Sequence, residues 1–184
     1  MISILEQVMY NNCTYNLLFV QYFSCIFSLI KLKEQEKLMI KQLEEKLHKN
    51  IPLTKFMDLK IINYDDKELI TTAPLDININ DKGTAFGGSL ATITIISAWS
   101  ICWLISKELK VSSDNIVVIK NEHSYKRPVT KNIVCKTFKP SIEEIQNLKE
   151  KLLNKRSASI KIKSHIIENE EICVDFVGFY VIKI

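Results

Sequence analysis

Apolar residues recur at two different spacings along the chain, and these spacings predict both helices and strands. Leu38, Ile40, Leu43 and Leu47 stand at near-helical intervals among lysines and glutamates, which predicts a surface helix. This helix is expected to end before Pro52, because proline cannot supply the amide hydrogen that continues a helix.

The longest predicted helix covers residues 85–107. Neither glycine nor proline occurs between Ser89 and Ser106, and the segment is apolar on every side. A helix that is hydrophobic all round is either a membrane span or a core helix surrounded by other structure.

Strand-like stretches on both sides of this helix favour the core helix. They cover residues 57–66, 67–76, 115–129, 132–139, 155–169 and 171–184. The first two meet at Asp65-Asp66, whose turn chemistry predicts a hairpin. A short amphipathic helix at 141–153 begins with a capping box, Ser141 and Glu144. An antiparallel sheet wrapped around one long central helix buries the apolar face of the sheet and the whole helix, so the predicted fold class is α+β. The edges of such a sheet would be covered by dimerisation.

The N-terminus admits three interpretations. Residues 7–30 carry no charge and are mostly apolar, with lysines directly after them. The segment is a weak membrane anchor, an amphipathic helix packed on the body, or the product of translation from upstream of a natural start at Met39. We therefore divide the chain into an apolar extension, 1–33, and one domain, 34–184.

Composition narrows the class of partner. The formal net charge of the 184 residues is +4, with 25 basic and 21 acidic side chains and no lysine or arginine block, which argues against nucleic-acid binding. The five cysteines are odd in number and contain no C-x-x-C pair. We expect reduced thiols in the cytoplasm and neither a metal nor a cofactor.

The segment NINDKGTAFGGS, residues 78–89, carries the candidate chemistry. The N-terminus of a helix presents amides without intrahelical partners and a partial positive charge, which stabilise an oxygen that gains negative charge. Gly87 and Gly88 let a ligand oxygen approach these amides closely, and the side-chain amide of Asn80 can help to orient it. The glycines also fit a purely structural role in tight helix packing, and Ser89 fits a capping role.

The order of elements and GTAFGGS at the start of the long helix resemble a hotdog-fold domain. The resemblance is closest to the thioesterase-type domain at the C-terminus of the YiiD acetyltransferase, and it covers about residues 43–184, including IPLTKFM and YKRPVTKN. It implies a dimer or larger assembly that acts on acyl groups carried by coenzyme A or acyl carrier protein. The implied catalytic residues are Asn80, Gly87, Gly88 and Ser89, and the implied substrate-binding residues are Thr84, Phe86, Tyr125, Lys126 and Arg127.

Two departures from phenylacetate-type hotdog thioesterases bear on mechanism. Asn80 matches their asparagine, but Phe86 stands where they have histidine, and Ile95 stands where they have a carboxylate. Hydrolysis needs a base to activate water, so Asp76, Asp81 or His123 would have to supply one from outside the helix.

Three functions are therefore expected to compete. The first is thioester hydrolysis. The second, which the resemblance implies, is decarboxylation of malonyl-acyl carrier protein for the initiation of fatty-acid synthesis; this reaction needs an oxyanion hole and no base. The third is a non-catalytic module that binds acyl thioesters. Lys161 and Lys163, with Lys126 and Arg127, are either an ordinary solvated face or the rim of a tunnel that meets an anionic carrier.

Overall fold

The computed structural model describes residues 22, 26, 31, 33–111 and 113–184. The predicted extension 1–33, with its proposed membrane segment 7–30, lies outside these residues except at four positions. Contacts divide the chain into two compact units, residues 1–38 and residues 39–184. The second unit holds every element described below, apart from the start of the first helix.

Within the described residues, four helices and six strands follow one another along the chain. The helices are α1 (33–50), α2 (Pro52–Phe56), α3 (Gly87–Glu108) and α4 (Ile142–Lys155). The strands are β1 (Lys60–Tyr64), β2 (Glu68–Ala73), β3 (Asn115–Tyr125), β4 (Ile133–Phe138), β5 (Ser157–Glu168) and β6 (Glu171–Lys183). The strands form one antiparallel sheet in the order β1-β2-β4-β5-β6-β3.

The sheet wraps around α3, which confirms the predicted α+β hotdog fold. The helix contacts β2, β3, β4, β5 and β6, and every residue from Ser100 to Ser106 is buried. Alternate residues of β5, from Ala158 to Ile166, supply buried side chains from the sheet. By length and composition α3 could span a membrane, but in this fold the helix packs against the sheet.

The hairpin predicted at Asp65-Asp66 is present. The carboxylate of Asp65 accepts hydrogen bonds from the backbone amides of Lys67 and Glu68 at 2.8 and 2.9 Å. This Asx-type turn joins β1 to β2 in the predicted antiparallel pair.

The sequence did not predict α2. Proline was expected only to end the preceding helix, and α1 does end at residue 50. Pro52 is also the first residue of α2, because its fixed φ suits the first helical position, where no intrahelical amide bond is needed.

The long helix begins two residues later than expected. Ala85 and Phe86 were predicted to be helical, but Ala85 forms a β-bridge with Ile79 and its amide donates to the carbonyl of Val129 at 2.8 Å. The amide of Phe86 donates to the carbonyl of Asn78 at 2.7 Å. These bonds keep both residues extended, so Gly87 and Gly88 are the first helical residues rather than a linker before the helix.

The capping box of α4 gives a test of the fold. Ser141 Oγ accepts from the amide of Glu144, and the Glu144 carboxylate accepts from the amide of Ser141. The Ser141→Ala variant should lose about 0.5–2 kcal/mol of unfolding free energy in urea titrations.

The loss of unfolding free energy in Ser141→Ala depends on pH, because Glu144 is one of the bonded partners. The hydrogen bond from the Ser141 amide, followed by that from the Ser141 hydroxyl, lowers the pKa of Glu144. The stabilisation is therefore full above the unfolded pKa of about 4.3 and is lost as the pH falls through the lower folded pKa. Ser141→Ala keeps the backbone amide and loses only the hydroxyl bond to the Glu144 carboxylate, so the gap between this variant and the unmodified chain should shrink by the share of that bond below about pH 4. A gap that stays constant down to about pH 2 would contradict this account.

Candidate active site at the start of the central helix

The first turn of α3 has no internal cap. Phe86 occupies the N-cap position without a side-chain hydrogen bond, and the first turn has no acidic residue. The first intrahelical bond to Phe86 runs from the amide of Leu90, at 3.0 Å. The amides of Gly87, Gly88 and Ser89 therefore lack intrahelical partners and carry the positive end of the helix dipole.

Asn80 organises the loop before the helix. Its Oδ1 accepts from the amides of Lys82 and Thr84 at 2.8 and 3.2 Å, and its Nδ2 donates to Thr84 Oγ1 at 3.0 Å. Gly83, whose φ of +75° favours glycine, completes the turn by donating to the carbonyl of Asn80. Asn80 and Thr84, predicted as catalytic and substrate-binding residues, thus bond to each other and fix the loop.

The two glycines have different surroundings. A Cβ on Gly88 would lie 2.3 Å from Cε1 of Phe86, so the ring of Phe86 occupies the space that a side chain would need. A Cβ on Gly87 would meet only Tyr125 Cε1, at an ordinary 3.9 Å. Intramolecular packing thus explains glycine at 88, whereas glycine at 87 keeps open a space that the chain does not fill.

One cavity beside this turn, here called the basic cleft, has a volume of about 290 Å³ and is lined by Gly87, Leu90, Tyr125, Lys126, Arg127 and neighbouring residues. The Tyr125 hydroxyl donates to the Gly87 carbonyl at 3.1 Å, which joins the end of β3 to α3. Lys126 pairs with Asp175 at 3.4 Å, and Arg127 pairs with Glu171. Both pairs are exposed, so they hold the cations weakly and leave them able to exchange partners for an anion.

A second cavity, here called the apolar groove, has a volume of about 380 Å³ and borders the same turn on another side. It is lined by Leu53, Phe56 and Met57, by Ile77 and Asn78, and by Phe86, Gly88, Ser89 and Thr92. The sequence reasoning missed the residues that α2 and the 77–78 segment supply. The signal available for them was IPLTKFM, which contains α2.

Asp76 and Asp81, two of the three expected sources of a base, are exposed and line neither cavity. His123 also lines neither cavity, but its Nε2 lies 2.8 Å from Thr94 Oγ1, against the second turn of α3. The Thr94 hydroxyl lies within donating distance of the carbonyls of Ala91 and Leu90, so its oxygen is left to accept from Nε2–H. Burial lowers the pKa of His123, which keeps its imidazole neutral at pH 7.

The thiols of the core are not nucleophiles. Cys102, Cys135 and Cys173 are unpaired and buried. Burial raises the pKa of Cys102, and it raises the pKa of Cys135 to about 11. At neutral pH both remain thiols rather than reactive thiolates.

The structure thus places most of the predicted site residues around the start of α3. Gly87, Tyr125, Lys126 and Arg127 meet in the basic cleft, while Phe86, Gly88 and Ser89 meet in the apolar groove. Lys161 and Lys163 line a separate cavity at the start of α4, so they do not rim the start of α3.

Comparison with known proteins finds a matching family and solved structures of similar fold. A family model described as "Putative thioesterase (yiiD_Cterm)" matches residues 40–184. A protein of unknown function from Chlorobaculum tepidum TLS is 34% identical, covering 80% of this chain and 96% of that one, with a TM-score of 0.76. A "putative thioesterase" from Shewanella oneidensis is 29% identical, covering 80% and 99%, with a TM-score of 0.70.

The different surroundings of Gly87 and Gly88 can be tested by measuring the unfolding free energy of variants. Gly87→Ala should raise the unfolding free energy by up to about 0.5–1 kcal/mol, because alanine restricts the unfolded chain and fits the space. Gly88→Ala should gain less, because the new methyl displaces the ring of Phe86. In a Phe86→Ala background the two gains should become equal in urea titrations. A difference that persists there would show that Phe86 is not the cause.

Proposed function

This chain belongs to the "Putative thioesterase (yiiD_Cterm)" family of hotdog proteins, and we propose that it hydrolyses acyl thioesters at the start of α3. The acyl group is carried by coenzyme A or acyl carrier protein. The single observation that carries the proposal is the uncapped first turn of α3 beside two cavities.

In this proposal the carbonyl oxygen of the thioester accepts from the amides of Gly87, Gly88 and Ser89. Water adds to the carbonyl carbon, the oxygen gains negative charge, and the carbon–sulfur bond then breaks to release the free acid and the thiol. Donors already aimed at the developing charge stabilise the transition state more than the ground state. The chain leaves these donors free at α3, although it supplies a complete capping box at α4.

The proposed arrangement places the carrier in the basic cleft. Phosphate groups of coenzyme A, or acidic side chains of a carrier protein, would replace Asp175 and Glu171 as partners of Lys126 and Arg127. Tyr125 would hold the start of α3 against the end of β3 while the carrier binds.

His123 is the proposed base for hydrolysis. It contacts α3 at Ala91 and Thr94, which lie about 6 and 10 Å along the helix axis from Gly87 at 1.5 Å per residue. In this proposal a water molecule would have to bridge the shorter span. The ring nitrogen of His123 that carries no hydrogen would accept the proton.

Decarboxylation of a malonyl thioester is the second candidate. The specific observation in its favour is that α3 carries no carboxylate, imidazole or amine from Gly87 to Ser106. In that reaction the bond to the carboxylate breaks, carbon dioxide leaves, and the electron pair forms an enolate whose oxygen the same amides stabilise. Water then returns a proton to carbon, so the reaction needs no base.

A second copy of the chain is the proposed partner of β3. This strand lies at the edge of the sheet, next to β6, and its Val117 and Ile119 side chains are exposed. An exposed apolar edge strand needs cover. We therefore propose a homodimer or a larger homo-oligomer, which would also bring the β3 end of each site close to the neighbouring copy.

Charge at the first turn gives the most direct test of the oxyanion hole. Ser89→Asp should leave stability unchanged or raise it by about 0.3–1 kcal/mol, because a carboxylate interacts favourably with the helix dipole. The same charge should repel the oxyanion and lower kcat by about tenfold or more. The isosteric, uncharged Ser89→Asn variant is the control and should stay within about threefold of the unmodified chain. Full activity in Ser89→Asp would remove the first turn from the mechanism.

A panel of acyl thioesters separates the candidate functions. Thiol release indicates hydrolysis, carbon dioxide released from the malonyl thioester indicates decarboxylation, and binding without turnover indicates a module.

His123→Gln should lower hydrolysis by about 100-fold and leave decarboxylation within about twofold, because only hydrolysis needs a base. Hydrolysis by the unmodified chain should rise with pH through the lowered pKa of His123, below about 6.5, and level off above it. Undiminished hydrolysis in His123→Gln would exclude His123 as the base.

A further inference from the structure

The loop that joins β3 to β4, residues 126–132, forms one wall of the basic cleft. The cleft is lined by four residues of this loop, Lys126, Arg127, Pro128 and Val129. Val129 is 1% exposed, and its carbonyl accepts the hydrogen bond from the Ala85 amide at 2.8 Å. The loop therefore supplies one of the two backbone bonds that keep the chain extended up to Phe86.

The hairpin of β5 and β6 holds the first residues of this loop by their backbone. The carbonyl of Cys173 accepts from the amides of Lys126 and Arg127 at 2.7 and 3.2 Å. Cys173 is the bulged residue where the register between β5 and β6 shifts. A bulge bends its strand and re-aims the groups on it, so this carbonyl is available to the loop.

Glu168, the last residue of β5, holds the other end of the loop. Its Oε2 accepts from the amides of Thr130 and Lys131 at 2.7 and 3.0 Å, and its Oε1 accepts from the Thr130 hydroxyl at 2.7 Å. The bonds from the Thr130 hydroxyl and amide lower the pKa of Glu168, so its carboxylate is ionised at neutral pH. Hydrogen bonds to an ionised acceptor are stronger than those between neutral groups, so these bonds hold the loop firmly.

One peptide unit connects Glu168 to the start of α3. The carbonyl of Val129 and the amide of Thr130 belong to the same planar trans group, so they point in opposite directions. The Thr130 amide donates to Glu168 on one side, and the Val129 carbonyl accepts from Ala85 on the other. The peptide unit cannot turn without breaking its bond to the carboxylate, so Glu168 fixes the direction of the Val129 carbonyl.

The same end of the loop also reaches the second bond that sets the start of α3. Asn132 Oδ1 accepts from the amide of Leu75 at 3.2 Å. The Leu75 carbonyl accepts from the Asn78 amide at 2.9 Å, and the Asn78 carbonyl accepts from the Phe86 amide at 2.7 Å. The part of the loop that Glu168 holds thus connects to both extended residues before the helix.

These backbone bonds are independent of the cations that the loop carries. Lys126 and Arg127 pair with Asp175 and Glu171 through their side chains alone. An anionic carrier is proposed to replace those acidic partners. The loop would keep its position during that exchange, because its amide bonds to the hairpin involve none of the four side chains.

We propose that Glu168 is a positioning residue for the site at the start of α3. It lines neither the basic cleft nor the apolar groove, and it acts through Val129 on the residue at which the helix begins. The inference rests on the proposed thioester chemistry for its effect on turnover. Its effect on the conformation of residues 85–89 does not depend on that chemistry.

Three variants separate this role from a general effect on stability or charge. Glu168→Ala removes all three hydrogen bonds to the loop. Glu168→Gln keeps an oxygen for the two amides, and its NH2 group can donate to the Thr130 hydroxyl, so it should restore the position of the loop. Glu170→Ala is the matched control, because Glu170 lies in the same hairpin turn, is exposed, and among the described residues has no hydrogen bond or ion pair.

NMR relaxation tests the conformational step. In Glu168→Ala the order parameters of the amides of residues 85–89 should fall from about 0.85 towards about 0.6, because the acceptor of Ala85 is no longer held. Those of residues 100–106 should stay near about 0.85, and Glu168→Gln and Glu170→Ala should match the unmodified chain throughout. A residue that only stabilises the domain would lower the unfolding free energy and leave these order parameters unchanged, and that result would overturn the inference.

Kinetics tests the functional step. With an acyl-coenzyme A thioester, Glu168→Ala should lower kcat about tenfold and change KM by less than about threefold, because the misplaced amides stabilise the transition state less while Cys173 still holds Lys126 and Arg127. Glu168→Gln should recover kcat to within about threefold, and Glu170→Ala should leave it unchanged. An equal loss of kcat in Glu170→Ala would overturn the inference, because the effect would then belong to charge, as would a loss in Glu168→Gln as large as in Glu168→Ala.

The two measurements separate this inference from the proposed function. If the unmodified chain turns over no thioester, the proposed function fails, and loss of order at residues 85–89 in Glu168→Ala would still support the positioning role. If Glu168→Ala hydrolyses thioesters with unchanged kcat, the inference is overturned whether or not these residues lose order, and the proposed function stands.

Discussion

The position at which α3 begins depends on two backbone hydrogen bonds. The amide of Ala85 donates to Val129, and the amide of Phe86 donates to Asn78. Because these bonds keep the chain extended up to Phe86, the helix cannot extend backwards. The amides of the next three residues are then left without partners beside two cavities. Had the helix begun at Ala85, Gly87 and Ser89 would lie about 3 Å deeper in it, and different amides would be free.

The two halves of α3 have different roles. From Ser100 to Ser106 every residue is buried within the sheet, which supplies the apolar burial that stabilises the domain. The first turn reaches the surface and gives up two ordinary sources of stability, an N-cap side chain and an acidic residue near the positive helix end. In α4 Ser141 and Glu144 provide both. Local rules of stability that fail at one place and hold elsewhere are typical of functional sites.

The sequence predicted those structural features that arise from contacts between residues close together in the chain. The Asp65 turn and the Ser141–Glu144 capping box each depend on residues within three positions, and both were predicted. The order of elements and an antiparallel sheet around one helix followed from the apolar periods and the long apolar helix, whereas the hotdog fold was implied by the resemblance to that family. These are features of single segments, so no knowledge of distant contacts was needed to predict them.

The rest depends on contacts between distant segments. The extended conformation of Ala85 requires Val129, 44 positions away, so a helical start at Ala85 was a reasonable expectation that tertiary hydrogen bonding overrode. The ion pairs of Lys126 and Arg127 with β6 likewise depend on strand register. The apolar groove joins α2 to α3 across more than 30 positions, and a pattern within one segment cannot predict such a cavity.

The side chain of Phe86 has three roles: a local one at the start of the helix, one in packing against a neighbour, and a proposed one in function. It is the N-cap without a capping group, and its ring fills the space above Gly88 and forms part of the groove wall. A Ser or Asp at this position would cap the helix and occupy one of the free amides. An aromatic ring cannot accept such a bond strongly, so it leaves the amides available while adding apolar surface next to them. Phe86, which stands where phenylacetate-type thioesterases have histidine, thus suits the oxyanion hole that we propose at the start of α3.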